Sequence, residues 1–180
     1  MVNYLINKTK LFFNLKKKTT LGDFGIILFR KALKDSDLFI KDEAKLALLG
    51  LSNEDLEYVF QEILIFHVYI YLDLIDRKIK NGLISKIIFA TYIEFCKNVK
   101  GLEEKNISDF IQYTKMRFAM YSYHIEEISK SNIPSLGRVL MSNLKNCNTI
   151  DSHISLEGFI YYTQCLTNSV EYIEQFQITN

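Results

Sequence analysis

Apolar positions recur along this chain at helical spacing, in segments separated by short polar breaks. The longest segment, Ser52 to Lys80, organises the rest. Leu56, Phe60, Ile63, His67, Ile70 and Leu74 fall on one line, and Leu64, Tyr71 and Ile75 widen it. Glu54, Asp55 and Glu57 stand where a helix N-terminus favours anions; Arg77, Lys78 and Lys80 stand where a C-terminus favours cations. Ser52 with Asp55 reads as a capping pair, and Asn81-Gly82 as a left-handed stop. The pattern predicts a central helix over about 53–80, apolar all round in its middle and therefore packed on several sides. Its uncharged run, Ile63 to Leu72, is about half the length a membrane span needs.

The other segments follow the same logic. Residues 3–15 predict a short amphipathic helix with Tyr4, Leu5, Leu11, Phe12 and Leu15 on one face. Thr20 and Asp23 predict the cap of a helix reaching about Lys34, ended by Asp35-Ser36-Asp37. Asp42 opens a short helix with apolar positions at Ala44, Ala47 and Leu48, and Gly50 stops it. Leu83, Ile87, Ile88, Thr91, Phe95 and Val99 predict a helix over 83–100.

The segment from about Ser108 to Ser131 carries two seams. One is Ile107, Phe110, Thr114, Phe118, Tyr121, Ile125 and Ile128; the other is Tyr113, Met116, Met120 and Tyr123. Two seams require packing on two sides, or on one side plus a partner. Asn132-Ile-Pro134 breaks the chain before a helix over 135–145, and residues 146–154 read as loop. Ser155 reads as the cap of a last helix, with Leu156, Phe159, Ile160, Leu166, Val170, Ile173 and Phe176 inward. The expectation is an all-α, single-domain bundle of six or seven helices: a body over 19–180 and a basic amphipathic arm over 1–18.

Composition narrows this. The chain's 180 residues suit one domain, and its one Pro and seven Gly leave little for the tight turns of an all-β fold. Net charge is +1, but unevenly spread: residues 1–34 hold eight basic residues against Asp23 alone. Cys96, Cys147 and Cys165 are odd in number and lack metal spacing, which suits free thiols in a reducing compartment. The N-terminal apolar run precedes its basic cluster, the reverse of a secretory leader, so a cytoplasmic location is expected.

Candidate chemistry is sparse. Arg117, Tyr121 and His124 share a helix face, where a guanidinium, a phenol and an imidazole can hold an anion. Asp73 and Asp76, one turn apart on the central helix with Glu62 and Tyr69 on the same stripe, can join them only if the two helices pack together. The bland account of that stripe is a solvated face. His67 lies on the apolar side, where a neutral, hydrogen-bonded core histidine is the default. Leu5, Phe12, Lys16, Lys17 and Lys18 form a candidate contact for a membrane surface or an acidic partner.

Phosphate loops, zinc-protease and nucleophile-elbow motifs are absent from the sequence, so no catalytic residue, metal ligand or cofactor is assigned. A helix-turn-helix over 42–66 would set Asn53-Glu54-Asp55 against phosphate, which argues against nucleic acid. The leading expectation is a non-enzymatic interaction protein that dimerises or binds another protein through its aromatic-rich surface. The alternatives are a small-molecule site or enzyme pocket between helices, and a peripheral membrane protein acting through residues 1–18.

Overall fold

A computed structural model describes residues 16–100, 104–128 and 134–179. The amphipathic segment 3–15 with Leu5 and Phe12, the side chains of Val99 and Ile128, and Asn132 and Ile133 of the expected breaker lie outside them. In chain order the elements are β1 (Lys17–Thr20), α1 (Leu21–Lys41), α2 (Glu43–Leu48), α3 (Leu56–Leu74) and a π-helical turn (Ile75–Ile79). There follow α4 (Gly82–Lys100), α5 (Glu104–Ile128), α6 (Pro134–Leu144), α7 (Ser152–Glu174) and β2 (Phe176–Thr179). The fold is an all-α single-domain bundle, and the expected class holds.

Thr20 caps α1 as expected: its Oγ1 accepts from the Asp23 amide at 3.1 Å and donates to Asp23 Oδ2 at 2.7 Å. The expected break at Asp35-Ser36-Asp37 does not occur. Asp35 pairs with Lys31 at 2.5 Å and Asp37 with Lys41 at 2.6 Å, while the Ser36 hydroxyl donates to the Ala32 carbonyl at 2.8 Å. With partners four residues away along the helix, these side chains do not compete with its backbone, and α1 runs through to Lys41. Asp42 caps α2, and Gly50 follows it in the left-handed region. Leu46 is the residue α2 buries; Ala44, Ala47 and Leu48 face outward, against expectation.

The central helix starts later than expected. Asp55, not Ser52, accepts from the Glu57 and Tyr58 amides, and Leu56 is exposed. From Glu62 to Tyr71 every residue is buried. The segment Leu56–Ile79 is long and apolar enough to cross a membrane, but 72% of its most apolar window is covered by the rest of the fold. Its end differs too: the Lys80 amide donates to the Ile75 carbonyl at 2.8 Å, closing the π turn, and Lys80 itself takes the left-handed conformation. Gly82 is therefore free to open α4.

Two further helices are rotated relative to expectation. On α4 the buried line is Ile84, Ile88, Tyr92 and Cys96, and Leu83 is exposed. Phe29 meets Tyr92 and Phe95 on one side, and Phe110 and Phe118 of α5 meet Tyr92 and Phe89 on the other. Flanked by α1 and α5, α4 centres its apolar arc between them. On α7, Asp151 holds the N-cap position and Ser155 is buried inside the helix, while Leu156 and Ile160 face out. The cause is a close crossing. A Cβ on Gly137 of α6 would overlap the Ser155 carbonyl and stand 2.7 Å from the Phe159 nitrogen; one on Gly158 would stand 2.8 Å from the Gly137 carbonyl. The two glycines turn the Ser155–Gly158 face of α7 onto α6.

The chain ends meet in a parallel pair that periodicity did not foresee, Lys17 opposite Phe176 through Thr20 opposite Thr179. Phe176, expected on the last helix, lies in β2 with its ring 5.4 Å from that of Phe24. The expected boundary after Lys18 falls inside β1.

Candidate functional site

α5 carries Arg117, Tyr121 and His124 together with the two apolar seams, and the fold divides these residues between two faces. The inner face holds Tyr113, Arg117 and Tyr121. Arg117 Nε lies 3.1 Å from Glu62 Oε2 of α3, and Arg117 Nη1 donates to Asn143 Oδ1 of α6 at 2.5 Å. Arg117 Nη2 donates to the Tyr113 hydroxyl at 2.8 Å; that hydroxyl donates in turn to Glu62. Asn143 Nδ2 donates to the Tyr121 hydroxyl at 3.1 Å. Burial, reinforced by Glu62, pushes both phenols up, so both stay protonated and neutral. Burial pulls the guanidinium down, but Glu62 and Tyr113 more than restore it.

Glu62 is wholly buried, and the solvated-stripe account is wrong for it. A buried carboxylate needs a cation and further donors, and Arg117 and Tyr113 supply them. Arg117 and Tyr121 thus come together as expected, but their polar groups join α3, α5 and α6 rather than face an open anion site. His124 is half-buried, its ring edge-on to Tyr123 at 5.1 Å.

Beside α5 runs a groove of about 520 Å³, floored by Tyr69, Leu72, Phe89 and Phe118. Asp73 of α3 and Asp76 of the π turn stand on one wall, Ser85 and Lys86 on α4, and Lys115, Ala119 and Ser122 on α5. Asp73 pairs with Arg77 at 2.7 Å, and Asp76 accepts from the Ser85 hydroxyl at 2.7 Å. Burial holds the Asp73 carboxyl above its ordinary value despite Arg77. The acidic pair shares this groove with Lys115, Ala119 and Ser122 of α5; Arg117, Tyr121 and His124 are not in its walls.

The outer face of α5 continues from this groove. Met116 is 50% exposed and Tyr123 60%, with exposed Ala119 between them and half-buried Met120 alongside. The first seam is therefore the packed one, burying Thr114, Tyr121 and Ile125, and the second divides: Tyr113 turns inward, Met120 is half-buried, and Met116 and Tyr123 are open.

A second polar site escaped sequence reasoning. His67 sits at the floor of a cavity of about 190 Å³ between α1, α3 and α7, with Lys31, Asp35, Lys45 and Cys165 in its walls. The Ser36 proton goes to the Ala32 carbonyl, so His67 Nδ1–H must donate to Ser36 Oγ across their 2.8 Å contact. His67 Nε2 is then the acceptor, and the Tyr161 hydroxyl donates to it at 2.8 Å, with Cys165 Sγ at 3.6 Å. Burial lowers the imidazole to about 3 and raises the thiol to about 12. Both stay neutral at pH 7, unlike the thiolate–imidazolium pair of a reactive cysteine. Ser36 and Cys165 lie 31 and 98 residues from His67, so spacing gave no signal.

Lys16, Lys17 and Lys18 are exposed, the last two in β1. Among the described residues no three His, Cys, Asp or Glu side chains cluster as a metal site would. No family model, curated protein or solved structure matches the chain.

Proposed function

We propose that this protein is a helical interaction module that seats a helical segment of a protein partner on the outer face of α5. One observation carries the reading. An apolar path runs from the groove floor at Tyr69, Leu72, Phe89 and Phe118, over Ala119, to Met116 and Tyr123. Contiguous exposed apolar surface with a polar rim is the usual mark of a docking site, and an amphipathic helix is the form that fills a groove between helices. Asp73 and Asp76 on one side of the groove and Lys86 and Lys115 on the others give its apolar floor a charged rim. A non-enzymatic role is supported by the neutral His67–Cys165 pair and by an Arg117 already engaged with Glu62. The three thiols are free, as suits the cytoplasm expected from the sequence.

The test is selection of helical peptides from a displayed library against the full chain. Selected peptides should carry apolar residues at i, i+3 or i+4, and i+7, and Ala119→Glu should weaken them about tenfold or more. Peptides that bind Ala119→Glu and Tyr123→Asp as tightly as the parent would refute the reading. The groove's volume favours a second reading, a small apolar ligand, because about 520 Å³ lies within the range of small-molecule pockets. A solvatochromic apolar dye that binds Tyr123→Asp but not Ala119→Glu would favour it, since Tyr123 is outside the groove walls.

A further inference from the structure

The outer face of α5 has a symmetry of its own. At about 100° per residue, Gln112, Ala119 and Glu126 fall along the middle of the exposed face. Met116 and Tyr123 flank that line on one side, and Lys115 on the other. All six residues are exposed. We propose that the helix seated on α5 is α5 of a second copy of this chain, antiparallel, about a two-fold axis between Ala119 and Met120. The proposal rests on the docking reading above and names its partner.

A two-fold axis perpendicular to two facing helices keeps each flank on its own side and reverses the chain direction. The Met116–Tyr123 flank then meets the same flank of the partner copy, with Met116 of each chain against Tyr123 of the other. A thioether beside an aromatic ring is a favourable contact. On the opposite flank Lys115 of each copy falls about 3 Å along the axis from Glu126 of the other, within reach of an ion pair. Ala119, the smallest side chain of the face, sits at the crossing, where a small residue lets two helices approach to about 8 Å. A parallel pairing in register, whose two-fold runs along the helices, would instead bring Glu126 against Glu126 near the middle of the seam and set Lys115 against the Met116–Tyr123 flank. Charge therefore selects the antiparallel arrangement, a closed, isologous one.

The experiment is sedimentation equilibrium of the full chain from about 1 to 200 µM, with thermal melts to show that each variant folds. The parent should be a dimer in the upper part of that range. Tyr123→Asp should raise the dissociation constant about tenfold or more. Lys115→Glu should weaken association, and Lys115→Glu with Glu126→Lys should restore it, since the exchanged pair keeps opposite charges. Ala119→Cys, in a Cys147→Ser background, should join to its own copy through a short bis-maleimide linker. A chain that stays monomeric to 200 µM, or a dimer indifferent to Tyr123→Asp and to the charge exchange, overturns the self-pairing. Helical peptides that still bind such a monomer, and lose affinity on Ala119→Glu, would leave the docking reading standing; loss of both would remove both.

Discussion

His67 is the one of three histidines that the fold encloses, held by Ser36 on one ring nitrogen and Tyr161 on the other. Its pKa falls from an ordinary 6.5 to about 3, so only the unfolded chain takes up a proton between those values. The stabilisation is whole above about pH 6.5 and is lost as pH falls toward 3, reaching roughly 2–3 kcal/mol by pH 4.5. Urea unfolding at pH 7 and 4.5 should show that loss in the parent and a shallower one in His67→Gln; equal losses would place His67 in contact with water. Cys165 should resist iodoacetamide in the folded protein at pH 7, because its thiol is raised to about 12, whereas Cys147 is partly exposed and should react. Single residues were unevenly legible in the sequence. His67 was readable because its apolar neighbours recur at helical spacing around it. Glu62 was not, because a buried carboxylate and a solvated one look alike until the partner is known, and Arg117 lies 55 residues away.

Between elements, the Glu62–Arg117 pair fastens α5 to α3, with Asn143 adding α6. Arg117→Met alone leaves a carboxylate buried without its cation and should cost about 3–5 kcal/mol. Glu62→Leu with Arg117→Met should recover most of that, since an apolar pair of similar volume removes the desolvation cost. Chemical denaturation of the two single variants and the double measures it; additive losses would mean the groups do not act as a pair. The α6–α7 crossing makes a parallel case. Gly137→Ala should destabilise by about 1–3 kcal/mol or more, because the methyl meets backbone that cannot yield as a side chain would. Periodicity located every helix among the described residues but misjudged the rotation of α2, α4 and α7. Hydrophobic spacing finds an apolar arc; which line becomes its centre depends on neighbours, Phe29 and Phe110 for α4 and Gly137 for α7. The β1–β2 pair was invisible, since four-residue strands about 160 residues apart carry no local signal.

At the scale of the whole molecule, α3 is buried from Glu62 to Tyr71 by helices on several sides, while α5, among the described residues, packs one face and leaves the other open. The two seams read from the sequence anticipated this, because apolar residues on both faces of one helix need two partners, and the described residues provide one. The candidate site was legible only in part: Asp73 and Asp76 do share a groove with α5, but Arg117 and Tyr121 turned inward, because Glu62 and Asn143 wait there. The claim that α5 is a docking face is tested most directly by hydroxyl-radical footprinting of the full chain, free and saturated with a selected helical peptide. Met116 and Tyr123 should be oxidised readily in dilute free protein and protected several-fold in the complex, while exposed His153 serves as an unchanged internal reference. Unaltered labelling of Met116 and Tyr123, with protection on another surface, would contradict the account.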